Sequence, residues 1–216
     1  MSAYLTRLLD IRIGGLDFQV RALKDLQQFS DPDGAADQAG ISSALWPLFG
    51  QAWPAGRILA DEMAHHDVAG KRVLEIGCGL ALASLVLQQR GADITASDHH
   101  PLAGPFLTGN AELNGLPEIP YCDLRWERPN EALGLFDLII GSDVLYERGH
   151  ARLLAALVQR HGQPKMEVLI TDPGRGNSGA FSRSMSALGF VSTEQRLRFK
   201  EEDIPPFRGR LLRYLR

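Results

Sequence analysis

Apolar and polar positions follow different rhythms along the chain. Leu8 to Ile13 and Leu16 to Leu23 are short runs joined at Gly14-Gly15, a pattern that predicts a β-hairpin. From about residue 70 onward, apolar strand-like runs alternate with helical patterns, the order expected of an α/β fold. Val73, Leu74 and Ile76 suit a strand buried on both faces. Ala81 to Gln89 follows as a helix with Leu82, Leu85 and Val86 on one side. Further strands are predicted at Ala92 to Asp98, within Ile119 to Trp126, at Phe136 to Gly141 and at Glu167 to Thr171. Helices are predicted at Pro101 to Asn114, Arg148 to Arg160 and Phe181 to Leu188. Phe190 to Phe199 and Arg210 to Leu215, around Ile204-Pro205-Pro206, read as an antiparallel closing hairpin.

Two stretches resist this rhythm. Ser30-Asp31-Pro32-Asp33-Gly34 carries enough turn formers to be a surface loop. Leu45 to Pro54 is aromatic and broken by prolines, and Pro54 opens a helix reaching about His65. Trp46, Phe49 and Trp53 either cap one end of the core or line a substrate or cofactor pocket. His65-His66 reads as a helix terminus rather than a metal site, and no metal is expected.

Composition narrows the function classes. The 216 residues are 44% hydrophobic, enough for one substantial core. A net charge of −3 gives no global attraction to nucleic acid or to an anionic membrane. The basic residues between Arg196 and Arg216 are interrupted by Glu201, Glu202 and Asp203, as on a solvated hairpin. Cys78 and Cys122 are the only cysteines, which fits a reduced cytoplasmic enzyme. Met1 to Ile13 contains Arg7 and Asp10 and no long apolar core, so neither a signal peptide nor a membrane span is expected.

The chemistry centres on Glu75-Ile76-Gly77-Cys78-Gly79, where a buried strand ends in an acid and a glycine turn. Such a turn aims backbone N–H groups and a helix N-terminus at a ligand. A dinucleotide fingerprint starting at Gly77 would place its last glycine at position 82, where Leu82 stands, and this argues against NAD. Asp98 ends the next strand about 20 residues on, the separation at which a carboxylate accepts from ribose hydroxyls or, alternatively, caps the turn entering His99-His100-Pro101. Glu75 would repel phosphates and welcome an amino group. S-adenosylmethionine, with an ammonium, a sulfonium and a ribose, therefore suits the pair of acids. Asp123 stands where an acceptor for the adenine amino group or a loop cap would lie, and Trp126 either covers a ring or packs. Ser142-Asp143-Val144-Leu145-Tyr146 and Asp172-Pro173-Gly174-Arg175 both leave the carboxyl ends of strands, the edge at which doubly wound folds bind ligands.

Glu75-x-Gly77-x-Gly79, Asp98 on the next strand and the terminal hairpin together resemble the seven-strand, Rossmann-like S-adenosylmethionine methyltransferases. Asp143-Val144-Leu145-Tyr146 is similar to the Asp-x-x-Tyr motif of small protein-lysine methyltransferases, a group whose bacterial members are often labelled nicotinamide-methylase-like. Trp53-Pro54-Ala55-Gly56, Cys122-Asp123 near Trp126, and Asp172-Pro173-Gly174-Arg175 extend the resemblance, the last toward the lysine methyltransferases of the electron-transferring flavoprotein β subunit. It covers roughly residues 46–190. It implies a mostly parallel seven-stranded sheet with an antiparallel C-terminal hairpin over residues 46–216. Residues 1–45 would form an N-terminal hairpin and loop extension. It implies a cofactor site of Glu75, Gly77, Cys78, Gly79, Asp98, His99, Asp123, Trp126, Ser142 and Trp53, with S-adenosylhomocysteine as product. Asp143 and Tyr146 would line the methyl-transfer site, and Trp46, Phe49, Asp172 and Arg175 would contact the acceptor. Ala81 replaces the usual third glycine, and the absence of an Asn-Pro-Pro-Tyr motif lowers adenine and glutamine amides as acceptors. A protein lysine is the leading acceptor, with a small nitrogenous molecule or a catalytically silent cofactor-binding module as alternatives. The oligomeric state is left open.

Overall fold

The structure, a computed structural model, describes residues 4–198 and 208–216. Among the described residues nine strands occupy Thr6–Ile13 (β1), Leu16–Leu23 (β2), Arg72–Ile76 (β3), Asp93–Asp98 (β4), Tyr121–Asp123 (β5), Phe136–Ser142 (β6), Gly162–Asp172 (β7), Val191–Arg198 (β8) and Arg208–Leu215 (β9). Six α-helices occupy Ala35–Gln38 (α1), Pro54–His65 (α2), Leu82–Gln89 (α3), Ala103–Leu113 (α4), His150–His161 (α5) and Ser178–Ala187 (α6). Short 3-10 helices add Trp46–Gly50 and Glu131–Leu133.

Seven strands form one sheet in the order β5-β4-β3-β6-β7-β9-β8. The first five run parallel, and β9 and β8 close the sheet antiparallel, as the sequence pattern predicts. Alternate strand residues face opposite layers because the side-chain period of a strand is two. Val73, Leu138, Ile140 and Leu169 meet α2, α3 and α4, whereas Leu74, Ile139, Val168 and Ile170 meet α5 and α6. Each such side chain, when fully buried, contributes about 1.5–3 kcal/mol of apolar transfer free energy. Strand order reverses between β3 and β6, which opens a crevice at their carboxyl ends.

Element boundaries depart from the sequence pattern where polar residues carry structure. β7 begins at Gly162 rather than Glu167 because Gly162 pairs with Phe136 across an irregularity, and exposed Pro164 and Lys165 give no apolar signal. The proposed turn at Ile204-Pro205-Pro206 lies outside the described residues. His66, just past α2, sits between Glu62 and Glu167 at 3.4 and 3.2 Å, so this terminus has one acidic partner on its own helix and one remote in sequence. No helix among the described residues is long and apolar enough to cross a membrane.

The β1–β2 hairpin is a separate two-stranded sheet, yet Ile11, Ile13, Phe18, Val20 and Leu23 enter the same core as α2 and α4. Its register on the main body is set by two amides one helical turn apart. Asn110 Oδ1 accepts from the Arg21 N–H at 2.8 Å, and Asn114 Oδ1 accepts from the Gln19 N–H at 2.8 Å. Their Nδ2 groups donate back to the Arg21 and Gln19 carbonyls. Alternate residues of β2 thus find on α4 the partners that a further strand would supply. The chain beyond β2 is fastened in turn: Asp31 accepts from the N–H groups of Ala36 and Asp37, and Arg125 donates to the Gln38 carbonyl.

Asn110→Ala should strip partners from the partly buried N–H and carbonyl of Arg21. Chemical denaturation should show a loss of about 1–3 kcal/mol, and the Arg21 amide should exchange faster; an unchanged stability would contradict this docking role.

Candidate functional site

A cavity of about 380 Å³ lies at the carboxyl ends of β3, β4 and β6. Its floor is the turn after β3. Gly77 and Gly79 both take positive φ, 58° and 53°, which glycine adopts without strain. At Gly79 the need is also steric: a Cβ would lie 2.8 Å from the Phe49 carbonyl oxygen. The glycine thus makes room for the protein's own 3-10 helix before it makes room for any ligand. Ala81 also has a left-handed backbone, φ 58°, and caps α3 while fully buried. This is the position of the missing third glycine. The left-handed geometry costs about 1–2 kcal/mol for a residue with a Cβ, partly offset by the burial of one methyl, about 0.8 kcal/mol.

Two carboxyl groups lie at this floor. Glu75 is 3% exposed and accepts from the Ser84 N–H at 2.9 Å and the Ser84 hydroxyl at 2.5 Å. Burial pushes its carboxyl up to about 7, against the pull of the Ser84 hydrogen bonds, and nearby Asp98 adds to the rise. Asp98 accepts three backbone N–H groups, from Gly79 at 2.9 Å on Oδ2 and from His99 and His100 at 2.8 and 2.9 Å on Oδ1. An ionised carboxylate has about four acceptor positions, so one position on Oδ2 is left for a ligand hydroxyl. The ribose and turn-capping readings of Asp98 are therefore compatible in this geometry.

Aromatic and apolar groups form the walls. Trp46 and Phe49 are three residues apart in a 3-10 helix, so they project on the same side and pack edge to face at 5.9 Å. Trp46 is 1% exposed and does not line the cavity, so its expected acceptor contact is corrected to a core role behind Phe49. Phe49 does line the cavity, stacked on His100 at 3.8 Å. Burial pushes the His100 imidazole down to about 3, so the ring is neutral. Trp53 lines the cavity at the start of α2, with its indole N–H donating to the Leu48 carbonyl at 2.8 Å. Cys78, His99, Trp126 and Ser142 also face it.

Asp143 and Tyr146 follow β6 and reach the same cavity. Asp143 has φ 53° and is anchored through its N–H to the Thr171 carbonyl at 2.8 Å. Its carboxylate takes both Nε and Nη2 of Arg175 at 2.6 Å each. Tyr146 is 38% exposed, and burial of its inner part pushes the phenol up to about 12, so it remains a hydroxyl at neutral pH. Its ring meets His150 edge to face at 4.5 Å, and His150 meets Trp126 in the same way at 4.9 Å.

Two further expectations need correction. Asp123 is exposed at the end of β5, in register with Asp98, and does not line the cavity. Asp172 is fully buried and also absent from the lining; burial raises its pKa, opposed by the backbone N–H groups of Gly174 and Arg175 that face it. Other wall residues escaped the sequence reading. Ile41, Leu45 and Leu48 come from the extension and the 3-10 helix, and His100 stands beside the residue chosen. Their only signal was apolarity in a proline-broken stretch, which does not separate pocket from core.

The lysine methyltransferase family matches residues 42–185. The chain belongs to that family. The methyltransferase is 32% identical over 185 residues to the mouse electron transfer flavoprotein β subunit lysine methyltransferase, covering 81% of this chain and 69% of that one. It is 34% identical over 137 residues to the zebrafish protein N-lysine methyltransferase METTL21A, covering 58% and 62% of the two chains. Among solved structures, the T. thermophilus 16S rRNA N2 G1207 methyltransferase superposes with a TM-score of 0.65 at 17% identity, over 98% of this chain and 51% of that one. The cofactor of the methyltransferase is S-adenosylmethionine. The donor set fits that cation: a buried carboxyl and a carboxylate with one free acceptor position at the floor, under apolar walls.

Below about pH 7 the Glu75 carboxyl holds a proton. A cationic ligand beside it favours the carboxylate, so binding must expel that proton. The affinity for S-adenosylmethionine should therefore weaken as pH falls from 7 to 5.5, by at most about tenfold per unit. Calorimetry should find this slope in the wild type and a flat profile in Glu75→Gln; a wild-type profile without the slope would remove Glu75 from the cation site.

Proposed function

We propose that the methyltransferase modifies a lysine side chain presented by a protein, with Asp143 and Tyr146 holding the acceptor. The supporting observation is the polarity of the cavity from inside to outside. Glu75 lies at its sealed end, whereas half-open Tyr146 and the Asp143 carboxylate lie where solvent reaches it. A macromolecular acceptor can deliver a long side chain through that end while its own bulk stays outside.

S-adenosylmethionine supplies an activated methyl on a sulfonium. The residues therefore need to hold the acceptor in line and exclude water. A lysine amine has a reference pKa of about 10.4 and must lose a proton before it is a nucleophile. The apolar walls of Phe49 and Leu48 favour the neutral amine by desolvation. Asp143 acts in the other direction, because its carboxylate favours an ammonium, so its proposed role is to capture and orient the incoming cation. Tyr146, protonated at neutral pH, offers a hydroxyl that either donates to or accepts from the amine. Glu75, Asp98 and Trp126 are proposed to hold the cofactor. The flavoprotein-modifying relatives make an electron-transferring flavoprotein β subunit the first acceptor to try. A cytoplasmic location is proposed with it, in keeping with two free cysteines.

Asp143→Ala should bind cofactor as the wild type does and lose turnover by about a hundredfold or more. Incubating enzyme and methyl-labelled cofactor with a size-fractionated lysate should label lysines in the protein fraction; label confined to small molecules would overturn the protein acceptor.

A further inference from the structure

The Asp143 carboxylate is already engaged by a cation, the guanidinium of Arg175. Two charge-assisted bonds of 2.6 Å in a fork geometry are the strongest arrangement a carboxylate and an arginine can make. The two partners are held very differently. Asp143 is 13% exposed, takes a left-handed backbone that few non-glycine residues adopt, and is pinned to Thr171. Arg175 is 45% exposed and stands between Gly174 and Gly176, both at φ 90° with no atom within 4 Å of where a Cβ would be. Beyond Gly176 the chain is fastened again, by Asn177 Nδ2 donating to the Leu145 carbonyl at 2.8 Å. A single exposed charged side chain thus stands between two glycines, its backbone N–H facing buried Asp172, in contact with the motif that would receive the acceptor.

We propose that Arg175 is an internal occupant of the acceptor position: its guanidinium fills the Asp143 carboxylate in the free enzyme, and its exposed side chain swings out to solvent when the acceptor ammonium enters. This rests on the lysine-acceptor reading of the site. An arginine suits the task because its guanidinium stays protonated at working pH and has no acceptor lone pair. Held through Nε and Nη2 on the carboxylate, it fills the position that the acceptor ammonium would take. The consequence is selectivity. A stray amine must displace a bidentate ion pair, and only an acceptor with further contacts outside the cavity offsets that displacement. The apparent affinity for a bare amine is lowered by the fraction of enzyme in which Arg175 has left.

The test uses n-butylammonium, which carries the end of a lysine side chain and nothing else, titrated by NMR into enzyme saturated with S-adenosylhomocysteine. Arg175→Ala should bind it at least about tenfold tighter than the wild type, the gain expected if Arg175 is absent from the carboxylate in roughly one molecule in ten. Arg175→Gln, which keeps much of the side-chain length without the charge, should gain similarly. Adding Asp143→Asn to either variant should abolish the gain. Equal affinity in wild type and Arg175→Ala would overturn the occupant, as would a gain in Ala alone, which would show that Arg175 withheld space and not the carboxylate. A gain that persists with Asp143→Asn would overturn it too. Amine binding is read without methyl transfer. A gain without any methylated protein would keep the occupant and remove the protein acceptor, while methylated protein without the gain would do the reverse.

Discussion

The Asp98 carboxylate is the tie on which the site depends. Three backbone N–H groups converge on it, one from the turn after β3 and two from the turn after β4. These turns belong to neighbouring parallel strands, joined past the last register pair by the Cys78 N–H donating to the Ser97 carbonyl at 3.0 Å. Without a shared acceptor, each would carry unsatisfied donors into a partly buried crevice, at a cost of about 1–3 kcal/mol for each buried group. With it, the glycine turn and the entry to α4 are fixed relative to each other, and an acceptor position remains at the floor of the cavity.

The other walls are referred to that floor. Gly79 lets the Phe49 carbonyl approach where a Cβ would collide, so the 3-10 helix rests on the turn. Phe49 then stacks on His100, which is one of the residues bound to Asp98. Trp46 fills the space behind, against Tyr4 and Phe29 of the N-terminal extension. The hairpin, stitched to α4 by Asn110 and Asn114, leads into the segment that brings Ile41 and Leu45 to the cavity. A segment that looked like an appendage in sequence is part of one core and one wall. The acceptor end is built separately, from the exits of β6 and β7, with Arg175 joining them at Asp143.

Strand and helix positions and the glycine turn were legible because each rests on a local signal: continuous apolar runs for buried parallel strands, a period near 3.6 for helices, and an acid followed by paired glycines. Residues at strand ends were legible for the same reason, since the fold places such ends together. What failed was side-chain direction. Trp46 and Phe49 look equivalent in sequence, and only the three-residue turn that carries them decides that one backs the other. Asp123 and Asp172 end strands as Asp98 does, but their side chains point to solvent and into the interior. The pairing of Asp143 with Arg175 spans 32 residues and depends on the conformation of two glycines, which no periodicity encodes. Family membership corroborates the reaction without settling these directions.

The central claim is that the cofactor floor and the fold around it are held by the same carboxylate. Asp98→Ala, followed by chemical denaturation and by calorimetry with S-adenosylhomocysteine on the same preparation, tests it most directly. Stability should fall by about 2–4 kcal/mol as donors lose their charged acceptor, and cofactor affinity should fall with it. Unchanged stability with abolished binding would mean that Asp98 serves the ligand alone, and would contradict the account.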